Sequence, residues 1–261
     1  MAREIVPSYL PAAEVTFTHK ATGDTKKVWR PYAALPLAEL KARAASDESG
    51  SLLELGERYH FGWGGAEQDY ETAYAYLKRA AEKNVQDAIA LLAGYYISDE
   101  AGILPRDPAK AVEMLTLAVE HGSWRAMDML SAGYRTGGEG FPVDHEKAYA
   151  WAEDAERMIR IYFAFYTQKD FIDFTPVLKE LLHAHTRMTC TLSACCADGV
   201  GVKRDLDMAR RWLDVGEAYV CTVTGLAEVP VFQERRKALD ARVKKDAARA
   251  EKAAKDAAKK K

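Results

Sequence analysis

The chain contains no apolar run near the roughly 18–20 residues that a membrane-crossing helix requires, which excludes a helical membrane span. Its first residues, MAREIVPSYLPAAEV, carry one Arg but no continuous apolar core of the kind a secretion signal needs. A cytoplasmic location is the expectation. Cysteine is scarce: there are four in 261 residues, Cys190, Cys195, Cys196 and Cys221, all in the C-terminal third and without regular spacing. That pattern argues against a disulfide framework and predicts free, buried thiols.

The usual signatures of catalysis are missing as well. There is no His-Glu-x-x-His, no Gly-x-Ser-x-Gly and no paired-carboxylate motif. Cys195 and Cys196 are adjacent rather than spaced as Cys-x-x-Cys, so they read as packing thiols. His183 and His185 stand at i and i+2, which a helix points to different sides, and no Cys or acidic residue sits at ligand spacing. Glycine-rich Gly62–Gly65 and Gly137–Gly140 lack the Lys-Ser/Thr pair of a phosphate-binding loop. The expectation is a chain with no catalytic residue, no metal and no cofactor.

Charge is nearly balanced but unevenly placed. The whole chain carries −2, whereas residues 233–261 hold 12 Lys/Arg against 5 Asp/Glu, a surplus of +7 that leaves −9 for the rest. Such a tail could meet phosphates. No aromatic residue follows Phe232 in it, however, and its acidic residues are interspersed, so a solvated helix is the better reading. Nucleic acid is not an expected partner.

What the sequence does have is a repeat. Residues 52–88 and 90–126 align on Leu55 and Leu92, after which Tyr59 matches Tyr96, Asp69 matches Asp107, Ala73 matches Ala111 and Ala80 matches Ala118. The period of 37–38 residues falls in the range of solenoid proteins. Leu52, Leu55, Gly56 and Tyr59 share one helical face. A glycine-rich breaker follows, then Asp69 as a helix N-cap. Ala73, Leu77, Ala80 and Ala81 form the small apolar stripe of a second helix, and Asn84 suits the left-handed turn at its end. A third copy follows at Leu130, Tyr134, Gly137, Asp144, Ala148 and Ala155. A fourth, degenerate copy has Leu192, Cys196 in place of Tyr, Gly199, Asp205, Ala209 and Gly216, after an insertion of about two dozen residues.

Outside the array, Val15–His19 and Lys26–Arg30 read as two strands of a hairpin, and Leu37–Ala45 as a helix. The expected organisation is a cap over 1–50, a repeat array over 51–218 with its insertion near 158–187, and a C-terminal linker and basic helix over 219–261.

The order Leu-Gly-x-x-Tyr, x-x-Gly, Asp-x-x-x-Ala, Ala-Ala-Glu, Ala resembles the Sel-one-like repeat, a relative of the tetratricopeptide repeat with a longer inter-helix loop. The first unit matches at Leu55, Gly56, Tyr59, Gly62, Asp69, Ala73, Ala80, Ala81, Glu82 and Ala88. The resemblance implies an all-α, right-handed solenoid of helix pairs, here with a β-hairpin cap, that recognises other proteins. It also implies two roles: a bacterial immunity protein that neutralises a toxin or effector, which the small acidic body favours against a basic partner, and an intracellular adaptor or regulatory scaffold. A cell-wall or β-lactam hydrolase is the reading from a different class. Cysteine-rich relatives suggest it, but this chain lacks their fixed cysteine positions.

Partner contacts are expected on the inner surface and where the units break pattern. Glu54, Glu57 and Arg58 flank the apolar stripe of the first unit and would make that surface acidic. Trp63 lies in the first loop, and Trp124 and Arg125 lie between units. The longer loop 99–106 and the insertion are further candidates. The insertion's aromatics Tyr162, Phe163, Phe165, Tyr166, Phe171 and Phe174 read either as core or as part of a groove, with Tyr162, Phe165 and Tyr166 the candidates for contact.

Overall fold

The computed structural model describes residues 12–18, 25–98, 102–138, 140–168 and 175–258. Strands β1 (Ala12–Thr18) and β2 (Thr25–Pro31) pair antiparallel, with Val15 opposite Val28. The turn between them lies outside the described residues, as do Asp99–Ala101, Phe171 and Phe174. A short 3₁₀ turn, Tyr32–Ala34, leads into α1 (Leu37–Ala45). Tyr32, Leu35, Leu40 and Ala44 are buried against Leu52, Leu55 and Leu77, so the segment after the hairpin covers the apolar end of the first repeat.

Four helix pairs follow: α2 (Ser49–Phe61) with α3 (Tyr70–Ala81), α4 (Gln86–Ile97) with α5 (Pro108–Glu120), α6 (Trp124–Thr136) with α7 (His145–Gln168), and α8 (Thr175–Asp198) with α9 (Leu206–Thr224). The chain closes on α10 (Pro230–Ala258). The architecture is an α-solenoid.

Each pair is locked by the same two hydrogen bonds. The aspartates Asp69, Asp107, Asp144 and Asp205 accept from the amides of Thr72, Lys110, Lys147 and Met208 at 2.8–3.0 Å. These are N-caps, which satisfy amides that the first turn of a helix leaves open. The same four aspartates donate their own amides to the carbonyls of Tyr59, Tyr96, Tyr134 and Cys196 at 2.8–2.9 Å. One residue therefore fixes both the start of the second helix and its distance from the end of the first. Cys196 occupies the tyrosine position by geometry as well as by alignment.

Small residues set the spacing between helices. A Cβ on Gly56 would come within 2.6 Å of Leu77. Ala73, Ala80, Ala111, Ala118, Ala152 and Ala155 are fully buried. Asn84 has φ 60°, the left-handed turn its position calls for.

The insertion adds no extra helix among the described residues. It lengthens α7 and α8 to 24 residues each, about twice the length of the other repeat helices before them. That extra length buries Met158, Ile159, Tyr162, Phe163, Tyr166, Val177 and Leu181 in the core shared with α4–α6. The basic C-terminal helix is also anchored more firmly than its composition suggests. Phe232 is wholly buried and Leu239 nearly so, while Val243 remains 39% exposed. A Cβ on Gly216 would meet the Phe232 ring at 2.5 Å. Arg204, Arg210, Arg236 and Arg242 pair with Asp246, Asp240, Asp214 and Asp198, tying α10 back onto α8, α9 and the loop between them.

Candidate interaction groove

The first helices of the four repeats share one side of the solenoid, and a groove runs along it. Its first part, of about 250 Å³, is lined by Leu53, Glu54, Glu57, Asp87, Arg125 and Glu180 among others. Its middle part, of about 360 Å³, is lined by Phe61, Trp63, Leu91, Trp124, Met129 and Arg187, and shares Glu57, Trp63, Arg125 and Glu180 with the first. Residues from α2, α4, α6 and α8 all contribute.

Arg125 is the centre of this surface. Its guanidinium pairs with Glu57 of α2 and with Glu180 of α8, and its Nε lies 4.0 Å from Asp87 of α4. Asp87 in turn accepts from the Ser123 hydroxyl at 2.6 Å. The Arg125 guanidinium also stands 5.5 Å from the Trp124 ring centroid, a cation–π distance. One side chain thus connects the first helices of all four repeats.

Glu54, Glu57 and Arg58 do not form a free acidic surface. All three are buried. Arg58 binds Glu54 at 2.8 Å and spends its other donors on the carbonyls of Ala33, Leu35 and Gly64. The spacing of i and i+4 that made a surface stripe plausible equally suits an internal pair, and burial decides in favour of the pair. Arg58 also supports Trp63, whose ring lies 5.2 Å from the guanidinium. Trp63 itself is 38% exposed, and Phe61 beside it 57%.

Four carboxylates face two guanidiniums in this region, and three of them, Glu54, Glu57 and Asp87, are buried. Burial raises Glu57 to about 8, against the pull of Arg125 and with further upward pressure from Glu54, Glu180 and Asp87. Burial likewise raises Glu54 to about 6, opposed by Arg58. Asp87 is also pushed up by burial. Arg125 keeps its charge despite burial because Glu180, Glu57 and Asp87 surround it.

The insertion aromatics divide differently. Tyr162 accepts from Gln86 at 2.8 Å and donates toward the Gly122 carbonyl, so its hydroxyl ties α7 to the second unit. Tyr162 and Tyr166 are buried, Trp124 is nearly so, and Phe165 is half-buried against Tyr166. Of the aromatic contact candidates, Trp63 presents the most surface to the groove. Asp87, Glu180 and Arg187 were not evident as groove residues from sequence; the seven-residue spacing of Glu180 and Arg187 puts both on one face of α8.

The histidines part as the spacing requires. His185 is fully buried and bonded to Glu156 at 3.1 Å, whereas His183 is exposed. Among the described residues no group of three His, Cys, Asp or Glu side chains is arranged to hold a metal. Burial pushes the Cys190, Cys195 and Cys196 thiols up, away from the thiolate form a nucleophile needs. No described helix is long and apolar enough to cross a membrane.

Repeated helix pairs, a shared small-residue spine and a groove built from every first helix define a repeat scaffold. The Sel1 repeat model matches residues 49–85, 86–123, 124–157 and 191–214, just over half of the chain, and the chain belongs to the Sel1 repeat family. Members of that family are generally protein-interaction scaffolds. Among solved structures, a Sel1 repeat protein from Oxalobacter formigenes is 19% identical with a TM-score of 0.51, over 69% of this chain and 62% of that one. A protective antigen present in uropathogenic Escherichia coli strains, with an SLR fold, is 25% identical with a TM-score of 0.42, over 69% of this chain and 40% of that one. A Sel1 repeat protein from Klebsiella pneumoniae is 20% identical with a TM-score of 0.37, over 70% of this chain and 92% of that one. The chain thus spans under two thirds of the first two relatives. No curated protein matches it.

Proposed function

We propose that this chain is a non-catalytic recognition module that holds a partner protein in the groove along α2, α4, α6 and α8, and that the partner is a toxin or effector which it neutralises inside a bacterial cell. The observation that carries the recognition reading is the groove itself. Residues from the first helix of every repeat line it, an exposed Trp63 and Phe61 flank it, and Glu180 is its one exposed carboxylate at the first end, the others being buried and internally paired. Aromatic side chains are favoured anchors at interfaces, and the exposed Glu180 carboxylate beside them suits a basic side chain. The −9 charge of residues 1–232 acts in the same direction over longer range. An adaptor or regulatory scaffold would use the same groove, and only the identity of the partner separates it from the immunity role.

The test is to co-express the chain with the product of a toxin-domain gene encoded beside it. Immunity predicts a stable complex and survival of cells that the toxin alone kills. Survival that is unchanged by Trp63→Ala together with Glu180→Lys would contradict use of this groove. A complex with a non-toxic neighbour would assign the adaptor role.

A further inference from the structure

Beyond Arg187 the groove adjoins a third cavity of opposite character. It has a volume of about 510 Å³ and lies between α6, α8 and α10, lined by Arg135, His183, Thr186, Arg187, Thr191 and Arg235 over a floor that includes Cys190, Ala194 and Val231. Arg187 lines both this cavity and the middle part of the groove, so the two adjoin, with the Arg187–Asp128 pair at their boundary. Arginines elsewhere in the structure are mostly matched to a carboxylate, including all four that tie down α10. Arg135 and Arg235 are less so: among the described residues neither has a carboxylate within ion-pair distance, although Arg135 acts on Asp128 through space and Arg235 reaches the Cys190 sulfur. Both are exposed, on different helices, and both face the same cavity. Arg187 is shared with Asp128, and Asp198 at the cavity edge is taken by Arg242.

We infer that this cavity is a carboxylate-binding site, and that the groove as a whole takes a peptide segment carrying an acidic residue at one end and a basic residue at the other. Guanidiniums offer planar, paired donors that fit carboxylate oxygens, and the Thr186 and Thr191 hydroxyls add further donors. Two positive charges with no direct ion pair suit one or two carboxylates rather than a polyphosphate. Adjacency to the part that presents Trp63 and the exposed Glu180 favours an extended occupant over a compact one. The helix supplies a ruler: from Glu180 to Cys190 is ten residues, about 15 Å at the rise of an α-helix. An extended peptide covers that distance in about four to five residues. The opposite charges of the occupant are therefore four or five residues apart. The basic half of this segment rests on the function proposed above; the acidic half rests on the Arg135 cavity alone.

A random twelve-residue peptide library displayed against the full chain tests both halves separately. The expected selection is enriched in Asp or Glu four to five residues from Arg or Lys. Arg135→Gln with Arg235→Gln as bait removes the acidic enrichment, weakening selected peptides about tenfold or more, and keeps the basic one. Trp63→Ala with Glu180→Gln does the reverse. Absence of acidic enrichment, its persistence on the Arg135/Arg235 variant, or no selected peptide at all would overturn the inference. Acidic enrichment without basic enrichment would keep the carboxylate site and remove the proposed reading of the Trp63 end. Arg249→Gln, on the exposed end of α10, controls for loss of net positive charge.

Discussion

Glu57 and Arg125 are 68 positions apart, yet they pair directly across the solenoid, from the first helix of the first repeat to the first helix of the third. Solenoid repeats usually depend on their immediate neighbours. This pair adds a link that bypasses the second repeat and, through Glu180, reaches the fourth.

Removing that link should be costly. Arg125→Met leaves Glu57 and Asp87 buried without their counter-charge, and loss of one partner of a buried pair costs about 3 kcal/mol or more. Urea unfolding is the measurement. Glu57→Gln with Arg125→Met should restore part of the loss, since one of the two carboxylates left without a counter-charge is then gone.

Stability should also fall as pH rises through neutrality. Glu54, Glu57 and Asp87 are all raised in the folded chain, so the native state holds protons that the unfolded chain has released. Stability then declines as pH rises from about 5 toward 8. Asp69 and Asp144, lowered by the amides they cap, act in the opposite sense and withdraw their contribution only below about pH 4. Thermal midpoints between pH 5.5 and 8.5 should show the decline, and Glu57→Gln should flatten it.

The repeat's aspartates should each be worth about 1 kcal/mol. Asp107→Ala and Asp144→Ala remove one N-cap apiece, the typical cost of a lost cap. Chemical denaturation of the two single variants and the double variant checks both the size and its near-additivity, because the two sites are far apart.

The C-terminal helix should matter at Phe232 and not along its outer end. Phe232→Ala empties a fully buried site against Gly216, at a cost of about 3–4 kcal/mol. Arg249→Gln should leave the unfolding midpoint unchanged. Thiol labelling offers a parallel check: Cys221 is half-exposed and should react first, with Cys190, Cys195 and Cys196 far slower.

Much of the frame could be read in the sequence, because a repeat states its packing rules several times. The aspartate caps, the Ala73 and Ala80 stripe and the Asn84 turn were each visible as local chemistry repeated at one spacing. The hairpin was visible from its β-branched runs. The groove was not. Glu54 and Arg58 form the same i and i+4 pattern whether they face water or each other, and only the segment Ala33–Leu35 folding over them decides the matter. Arg125 needs partners 68 and 55 residues away, which no local pattern encodes. Gly216 stands in line with Ala80, Ala118 and Ala155, but its reduction to glycine makes sense only once Phe232 is seen beneath it.

The most direct test of the groove is site-specific photocrosslinking in the native host, comparing two faces of the same molecule. A photoreactive side chain at Trp63 reports the groove. One at Val215 reports the opposite surface, where Phe163, Val215, Tyr219 and Val223 line an open apolar depression of about 620 Å³. The groove account predicts one discrete adduct from position 63, abolished by Glu180→Lys, and none from position 215. An adduct from position 215 alone would contradict it.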